Sequence, residues 1–115
     1  MATLLVVSKV IQSTMYTFIR SPEFSDWMDR LKDPVGKARI ILRIESAMRG
    51  NFGDCDSVGD GISEMRIHYG PGYRVYFTRR GQTIYWLLLG GDKSTQKRDI
   101  KRAKALLKVL PKGNE

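Results

Sequence analysis

The chain has 115 residues, enough for one domain with its own core, and its formal net charge of +8 favours an anionic partner. A single cysteine excludes an internal disulfide framework, and one cysteine with one histidine excludes a zinc site built from those ligands. No apolar run approaches the roughly 20 residues that span a bilayer. We therefore expect a protein of the reducing cytoplasm, without membrane contact and without a metal.

The amino-terminal half predicts a strand and two helices. Residues 1–14 are expected to be an extension of unknown role, followed by a single domain over residues 15–115 that opens with a strand at 16–20. A helix should begin after Ser21, because serine caps helices and Pro22 suits the first helical position. Apolar residues then repeat at helical spacing from residue 22 and again from residue 34, which predicts a helical hairpin packed on a sheet. The two stripes are Phe24, Trp27, Met28 and Leu31, then Ile40, Ile41, Ile44, Ala47 and Met48. Residues 51–61 are turn formers and predict a surface loop.

The centre of the chain predicts antiparallel strands at residues 65–69, 73–78 and 84–89, separated by turn signals at 70–72 and 80–81. If Tyr69 faces Tyr73 across the first hairpin, one side of the sheet is core and the other side is polar. The polar side then collects Glu64, Arg66, His68, Arg74, Tyr76 and Thr78. This register also sets His68 opposite Arg74. Two guanidiniums, an imidazole and a phenol on an open face suit a phosphodiester.

The carboxyl-terminal segment predicts a basic helix that begins after Gly90 and Gly91 and ends at Pro111. Its apolar stripe is Ile100, Ala103, Leu107 and Leu110, and between residues 93 and 112 its cations are opposed only by Asp99. Such a face could bind phosphates, receive an acidic partner, or simply be solvated. The string GGDKST lacks the lysine directly after glycine that a nucleotide-binding loop requires, so we expect no ATP, GTP or other small-molecule cofactor.

Three separated motifs carry a resemblance to a known family: GNFGD at residues 50–54, SEMRIHYGPGYRVYF at 63–77 and LLLGGDKSTQ at 87–96. Together they resemble the small toxins of the RelE/ParE superfamily, in its HigB-like, phage-related "addiction module killer protein" branch. The resemblance covers about residues 15–110. It implies an α+β fold with a small antiparallel, mixed-edge sheet of about four strands, an N-terminal helical hairpin on one face and a C-terminal basic helix.

The function implied by this resemblance is that of a type II toxin. Such a toxin is a metal-independent endoribonuclease that cuts mRNA, usually on the ribosome, inhibits translation and growth, and is neutralised by an antitoxin, here of the helix-turn-helix type. Two alternatives keep the fold: a ParE-like inhibitor of DNA gyrase, and an inert relative that only binds its antitoxin. The chain departs from the family in two places. Residues 97–115 hold no tyrosine or histidine, and Glu64 stands where the RelE type has lysine.

Candidate catalytic residues follow from the needs of RNA cleavage without a metal: a base for the 2′-hydroxyl, positive charge at the phosphorus and an acid for the leaving oxygen. Arg66 and Arg74 suit the charge, because a guanidinium forks onto phosphate oxygens. His68 is a candidate base, and Glu64 is either a second candidate or a partner that orients Arg66. Lys93 occupies a basic family position where the last helix begins, near backbone amides that can hold a phosphate.

The expected RNA-binding residues are Tyr76, Gln96, Lys97, Arg98 and Lys101. Structural readings stand beside these roles. Both arginines could form ordinary surface ion pairs, and His68 could be an exposed histidine without a role. Tyr76 could be a cross-strand partner of Tyr85, and Ser94 or Thr95 could be no more than a helix cap.

Overall fold

The computed structural model describes residues 15–111, so the expected extension at residues 1–14 lies outside the described part. The described chain is α+β, with one five-stranded mixed sheet and three α-helices. The elements in chain order are β1 (Thr17–Arg20), α1 (Pro22–Arg30), α2 (Pro34–Met48), β2 (Cys55–Gly59), β3 (Ile62–Ile67), β4 (Tyr73–Arg79), β5 (Ile84–Asp92), a 3₁₀ turn (Lys93–Thr95) and α3 (Gln96–Leu107). Of the helices within 15–111, none combines the length and apolar character needed to cross a membrane.

The strands lie side by side in the order β1-β5-β4-β3-β2, with β1 parallel to β5 and every other pair antiparallel. The expected mixed edge is therefore present, but the sheet has five strands and not four. The additional strand is β2, which lies within the predicted surface loop at residues 51–61. Its turn-forming residues form an edge strand that ends at Gly59, where a reversal with positive φ from Gly59 to Gly61 leads into β3.

Both amino-terminal helices begin at a side-chain cap, and that of α1 is the predicted Ser21. Ser21 Oγ accepts from the backbone amide of Phe24 at 3.0 Å and donates to the carbonyl of Leu88 at 2.7 Å, so it fixes the start of α1 against the sheet. Asp33 caps α2 by accepting from the amide of Gly36 at 3.0 Å. The α2 helix ends shortly before Gly50, whose φ of 96° is readily adopted only by glycine.

Two hydrophobic clusters lie on opposite faces of the sheet. The first, beneath α1 and α2, contains all the predicted stripe residues of these helices together with Met65, Ile67, Tyr73, Val75, Phe77 and Leu87. The second, beneath α3, contains Ile62, Tyr76, Leu88, Leu89 and Ala103, with Ile100, Leu107 and Leu110 packed against it. The predicted inward stripes of all three helices are thus confirmed. The sheet is the middle layer of three.

Strand β5 carries apolar residues to both faces through a bulge at Leu88. Tyr76 pairs with Leu89 and Phe77 pairs with Leu87, so Leu88 is the extra residue of β5. As a result Leu88 and Leu89 both join the cluster beneath α3, whereas Leu87 joins the cluster beneath α1 and α2.

The last strand is longer than the expected 84–89, because Gly90 and Gly91 both lie within β5, which continues to Asp92. A Cβ atom on Gly90 would lie 2.1 Å from Cε3 of Trp27, and one on Gly91 would lie 1.9 Å from Oδ2 of Asp99. Glycine at these positions therefore lets Trp27 of α1 and Asp99 of α3 lie directly against the two faces of the strand.

The register of β3 and β4 differs by two residues from the expected one. Ile67 pairs with Tyr73, and Arg66 lies opposite Arg74, so Tyr69 does not face Tyr73 and His68 lies beyond the end of β3. The connection from 68 to 72 has hydrogen bonds of its own, from the amide of Tyr69 to Ile67 and from that of Gly72 to Tyr69, which lengthen the loop. A shift of two keeps the side chains of the residues paired in β3 and β4 on their expected faces.

Candidate functional site

Glu64 lies at the centre of a polar network on the α3 face of the sheet, with 1% of its surface exposed. Its Oε2 atom accepts from the phenol of Tyr76 at 3.0 Å and from Nε2 of Gln96 at 2.7 Å. Its Oε1 atom accepts from Nη1 of Arg66 at 3.3 Å. One buried carboxylate thus connects β3, β4 and α3 and also contacts Arg66, the residue that Glu64 was expected to orient if it is not itself a base.

Arg74 is buried beside this carboxylate, with 7% of its surface exposed. Its Nη1 donates to the carbonyl of Gly72 at 2.9 Å, while its Nε has no hydrogen-bond partner in the described chain and lies 3.9 Å from Oε2 of Glu64. The expected solvent-facing surface is therefore wrong for four of its members, namely Glu64, Arg74, Tyr76 and Thr78. The physical reason is that α3 packs across β4 and β5 on this face.

Tyr76 is fully buried and cannot stack on a base in this conformation. It pairs with Leu89 and not with Tyr85, so its cross-strand reading is also wrong. Burial, followed by the hydrogen bond to Glu64, holds the pKa of the Tyr76 phenol well above its ordinary value. The group is therefore a hydrogen-bond donor throughout the physiological pH range.

Arg66 lies on the half of the face that α3 leaves open, and its guanidinium is shared among three carboxylates. Nε and Nη2 fork onto Asp54 at 3.2 and 3.1 Å, Nη2 also bonds Asp56, and Nη1 reaches Glu64. The side chain is 23% exposed, against 43% for Asp54 and 70% for Asp56. Arg66 thus forms ion pairs, as the alternative structural interpretation expected, and two of its three carboxylate partners lie at the surface.

Asp54 joins this guanidinium to the histidine. Nε2 of His68 lies 2.6 Å from Oδ2 of Asp54, the imidazole is 70% exposed, and its Nδ1 makes no hydrogen bond to any residue of 15–111. The hydrogen bonds from Arg66, then from His68, lower the pKa of the Asp54 carboxyl to about 2. Asp54 is therefore a carboxylate near neutrality. Its negative charge can balance the positive charge of an imidazole that has taken up a proton.

The basic residues at the carboxyl-terminal end lie beside this network and, within residues 15–111, make no side-chain hydrogen bond to it. Lys93, Lys97, Arg98 and Lys101 are exposed, and only Arg98 among them pairs with a carboxylate of the described chain, that of Asp99 at 3.3 Å. The amide of Ser94 already donates to Asp92 at 2.8 Å. The 3₁₀ turn is therefore capped by Asp92, and the hydroxyl of Thr95 completes a capping box by accepting from the amide of Asp92 at 3.2 Å. Thr95 also occupies the N-cap position of α3, without a side-chain cap bond there, whereas Ser94 caps neither segment.

The structure thus brings six of the predicted site residues into one chain of contacts and leaves the other four on the surface beside it. The connected residues are Glu64, Arg66, His68, Arg74, Tyr76 and Gln96. Sequence reasoning missed Asp54 and Asp56. A signal was available in the order of residues 54 to 56, where the two aspartates alternate with Cys55. Because Cys55 packs on the first hydrophobic cluster, this alternation indicates extended chain with both carboxylates on the opposite face. Within residues 15–111 no group of three or more His, Cys, Asp or Glu side chains could hold a metal ion.

Comparison with known proteins gives one informative match. An "Uncharacterized protein" from Haemophilus influenzae is 51% identical over 87 residues, which are 76% of this chain and 88% of that protein. No family model matches the chain, and no solved structure matches it.

Proposed function

The chain belongs to one family with the Haemophilus influenzae protein. Because the name of that protein states no activity, we propose a function from this chain's own residues. The protein is a RelE-like toxin of a type II toxin-antitoxin module that acts in the cytoplasm. It cuts mRNA on the ribosome without a metal and thereby inhibits translation and growth. A helix-turn-helix antitoxin binds it and prevents the cleavage.

One observation carries this proposal: an exposed imidazole, His68, is held by the carboxylate of Asp54, which the guanidinium of Arg66 holds in turn. A carboxylate that fixes one ring nitrogen leaves the other directed away from it, able to take a proton from a bound hydroxyl. The 2′-hydroxyl of RNA is such a group. When its proton passes to His68, its oxygen bonds to the neighbouring phosphorus and the bond from phosphorus to the 5′-oxygen breaks. The departing 5′-oxygen takes a proton from water, so the products are a 2′,3′-cyclic phosphate and a 5′-hydroxyl.

Arg66 supplies the positive charge for this step. Its partners Asp54 and Asp56 are exposed, and ion pairs with exposed partners contribute little to stability. A phosphate can therefore replace Asp56 on Nη2, while Asp54 keeps its fork and Glu64 keeps Nη1. A guanidinium that is held on two sides directs its remaining donor in a fixed direction. This donor can stabilise the negative charge that develops on the phosphate oxygens in the crowded transition state.

The buried members of the network position Arg66. Glu64 is held by Tyr76 and Gln96, so its second oxygen meets Nη1 of Arg66 at a fixed place. Arg74, next to the same carboxylate, adds positive charge beneath the site without reaching solvent. These residues act through Arg66 and are positioning residues.

The exposed cations of α3 give the protein a means of holding the message. Lys97 and Lys101 are one helical turn apart and make no ion pair within the described chain, so their charge is available to phosphates. This contact carries no sequence information. Lys93, the first residue of the 3₁₀ turn after β5, extends the same cationic surface.

The resemblance of the three motifs adds the biological setting, namely the antitoxin partner and growth arrest. The rival function within the same fold, inhibition of DNA gyrase, is favoured by the three carboxylates around Arg66, since a site neutralised in this way need not meet RNA.

The test is induction of the protein in growing cells, with message ends and DNA supercoiling measured in the same samples. The proposal predicts cuts within messages, their loss in His68→Gln, and their retention in the matched control Arg30→Gln. This control alters an exposed residue of α1 whose ion-pair partner among residues 15–111 is Asp26. Loss of supercoiling with intact messages would identify the gyrase inhibitor. Normal growth with intact messages would identify an inert binding protein.

A further inference from the structure

A second surface feature lies directly beside His68, between α2 and the end of β3. It is a cavity of about 360 Å³ that we name the His68 cavity, and it is lined by Arg39, Leu42, Arg43, Ile67 and His68. None of its lining residues is acidic. Leu42, 62% exposed, forms an apolar wall that the described chain leaves open to solvent.

The first cation of the His68 cavity is unpaired. The guanidinium of Arg39 lies 4.6 Å from the ring centroid of Tyr69, and it makes neither a hydrogen bond nor an ion pair with any residue of 15–111. One face of this planar group is thus against an aromatic ring. The donors along its edge and its second face remain available to a ligand.

The second cation is fixed in place. Arg43 donates from Nη1 to the carbonyl of Arg66 and from Nη2 to that of Phe52 at 3.1 Å, while no carboxylate of residues 15–111 neutralises it. Backbone carbonyls therefore set the direction of the guanidinium without cancelling its charge. Together Arg39 and Arg43 make the cavity strongly attractive to an anion with an apolar or planar part.

We propose that the His68 cavity binds one nucleotide of single-stranded RNA, adjacent to the nucleotide whose 2′-hydroxyl meets His68. Its phosphate takes the free edge of Arg39 and the charge of Arg43, and its base lies between Leu42 and the open face of the Arg39 guanidinium. Bases of unpaired RNA are commonly bound by such stacking on guanidinium planes and rings. The inference rests on the proposed function in taking RNA as the ligand.

An acidic protein segment would satisfy the charge of this cavity but not its shape. Carboxylates would use the edge of Arg39 and leave the flat second face and the Leu42 wall without a planar partner. The cavity also opens at His68, where the proposed reaction takes place. RNA is therefore the ligand that would contact both the charged edge of Arg39 and the flat and apolar walls of the His68 cavity.

The experiment measures binding of a fluorescent oligoribonucleotide of about six nucleotides, with 2′-O-methyl groups to block cleavage, to the full chain. Arg39→Gln is expected to raise the dissociation constant about tenfold, which is the effect of losing one charge-assisted contact. The matched control is Arg49→Gln, at the end of the same helix, exposed and without an ion pair among residues 15–111. It should change the constant by less than about twofold. The imidazole resonances of His68 should shift on binding.

Equal losses in the two variants, or no shift at His68, would overturn the proposal. It would also be overturned if a glutamate-rich peptide of equal charge bound with the same dependence on Arg39. Failure of the proposed function is distinguishable. In that case the oligonucleotide would still bind in an Arg39-dependent way, and unblocked RNA would not be cut.

Discussion

The phenol of Tyr76 donates a 3.0 Å hydrogen bond to Oε2 of Glu64, and both side chains are buried beneath α3. Gln96, from α3 itself, donates to the same oxygen at 2.7 Å. A buried charge is tolerated only when its hydrogen bonds are made, and Glu64 meets this condition with three donors. The polar network is thus a structural part of the second core.

Glu64→Gln should therefore be strongly destabilising. The amide cannot accept at both ends, and it leaves the cation of Arg74 buried without a counter-charge, so we expect the free energy of unfolding to fall by about 3–5 kcal/mol. Urea unfolding measures this change. Glu45→Gln, on the exposed face of α2, is the matched control and should stay within about 0.5 kcal/mol. An unchanged midpoint for Glu64→Gln would show that the carboxylate is not what holds the network.

Gly90→Ala should also be destabilising, because its new methyl would lie 2.1 Å from the ring of Trp27. The expected loss is about 1–3 kcal/mol, the usual cost of overpacking. Thermal unfolding measures it, with Gly81→Ala in the β4–β5 turn as the control. Adding Trp27→Leu to Gly90→Ala should recover part of the loss. No recovery would mean that glycine is required for the backbone conformation at this position and not for its contact with Trp27.

The Asp54 carboxyl should titrate at a pKa of about 2, measured by NMR of its side-chain carbon. Its folded pKa is depressed below the ordinary 3.8, so its contribution to stability is complete above about 3.8 and is lost as the pH falls toward 2. In Arg66→Gln the principal cause of the shift is gone, and the midpoint should return toward 3.8. A midpoint near 2 in that variant would contradict the assigned cause.

RNA affinity should depend on salt through the α3 cations. The slope of log affinity against log salt falls by about 0.7 for each phosphate contact removed from a single strand. The double variant Lys97→Gln with Lys101→Gln should thus reduce the slope by about 1.4. A control that removes the same charge elsewhere, Lys32→Gln with Lys37→Gln near the start of α2, should leave it unchanged. Equal reductions would indicate attraction to net charge alone.

The helices and the faces of the β3 and β4 residues were predictable from sequence because they depend on local periodicity. The stripe from Phe24 to Leu31 gave α1, and alternation placed Arg66 and Arg74 on one face even though the register was off by two. Successive side chains along a strand point to opposite faces of the sheet, so a register shift of two residues leaves each side chain on the same face. The register itself depended on a loop with its own hydrogen bonds.

Burial of the charged residues was not predictable in the same way. Glu64 and Arg74 belong to residue types that are seldom buried, and the partner that explains their burial, Gln96, is 32 residues from Glu64 in the chain. The basic composition of α3 likewise indicated exposure, although its stripe from Ile100 to Leu110 showed that one side packs inward. Which strands that side would cover could be seen only in the fold.

The central claim is tested most directly by incubating the purified protein with messenger RNA and ribosomes in excess EDTA and identifying the chemistry of the new ends. Attack by the 2′-hydroxyl predicts 2′,3′-cyclic phosphate ends upstream and 5′-hydroxyl ends downstream, produced by the wild type and by Arg30→Gln but not by His68→Gln. Intact RNA from a preparation that still arrests growth would contradict the account, as would the same cuts at the same rate from His68→Gln.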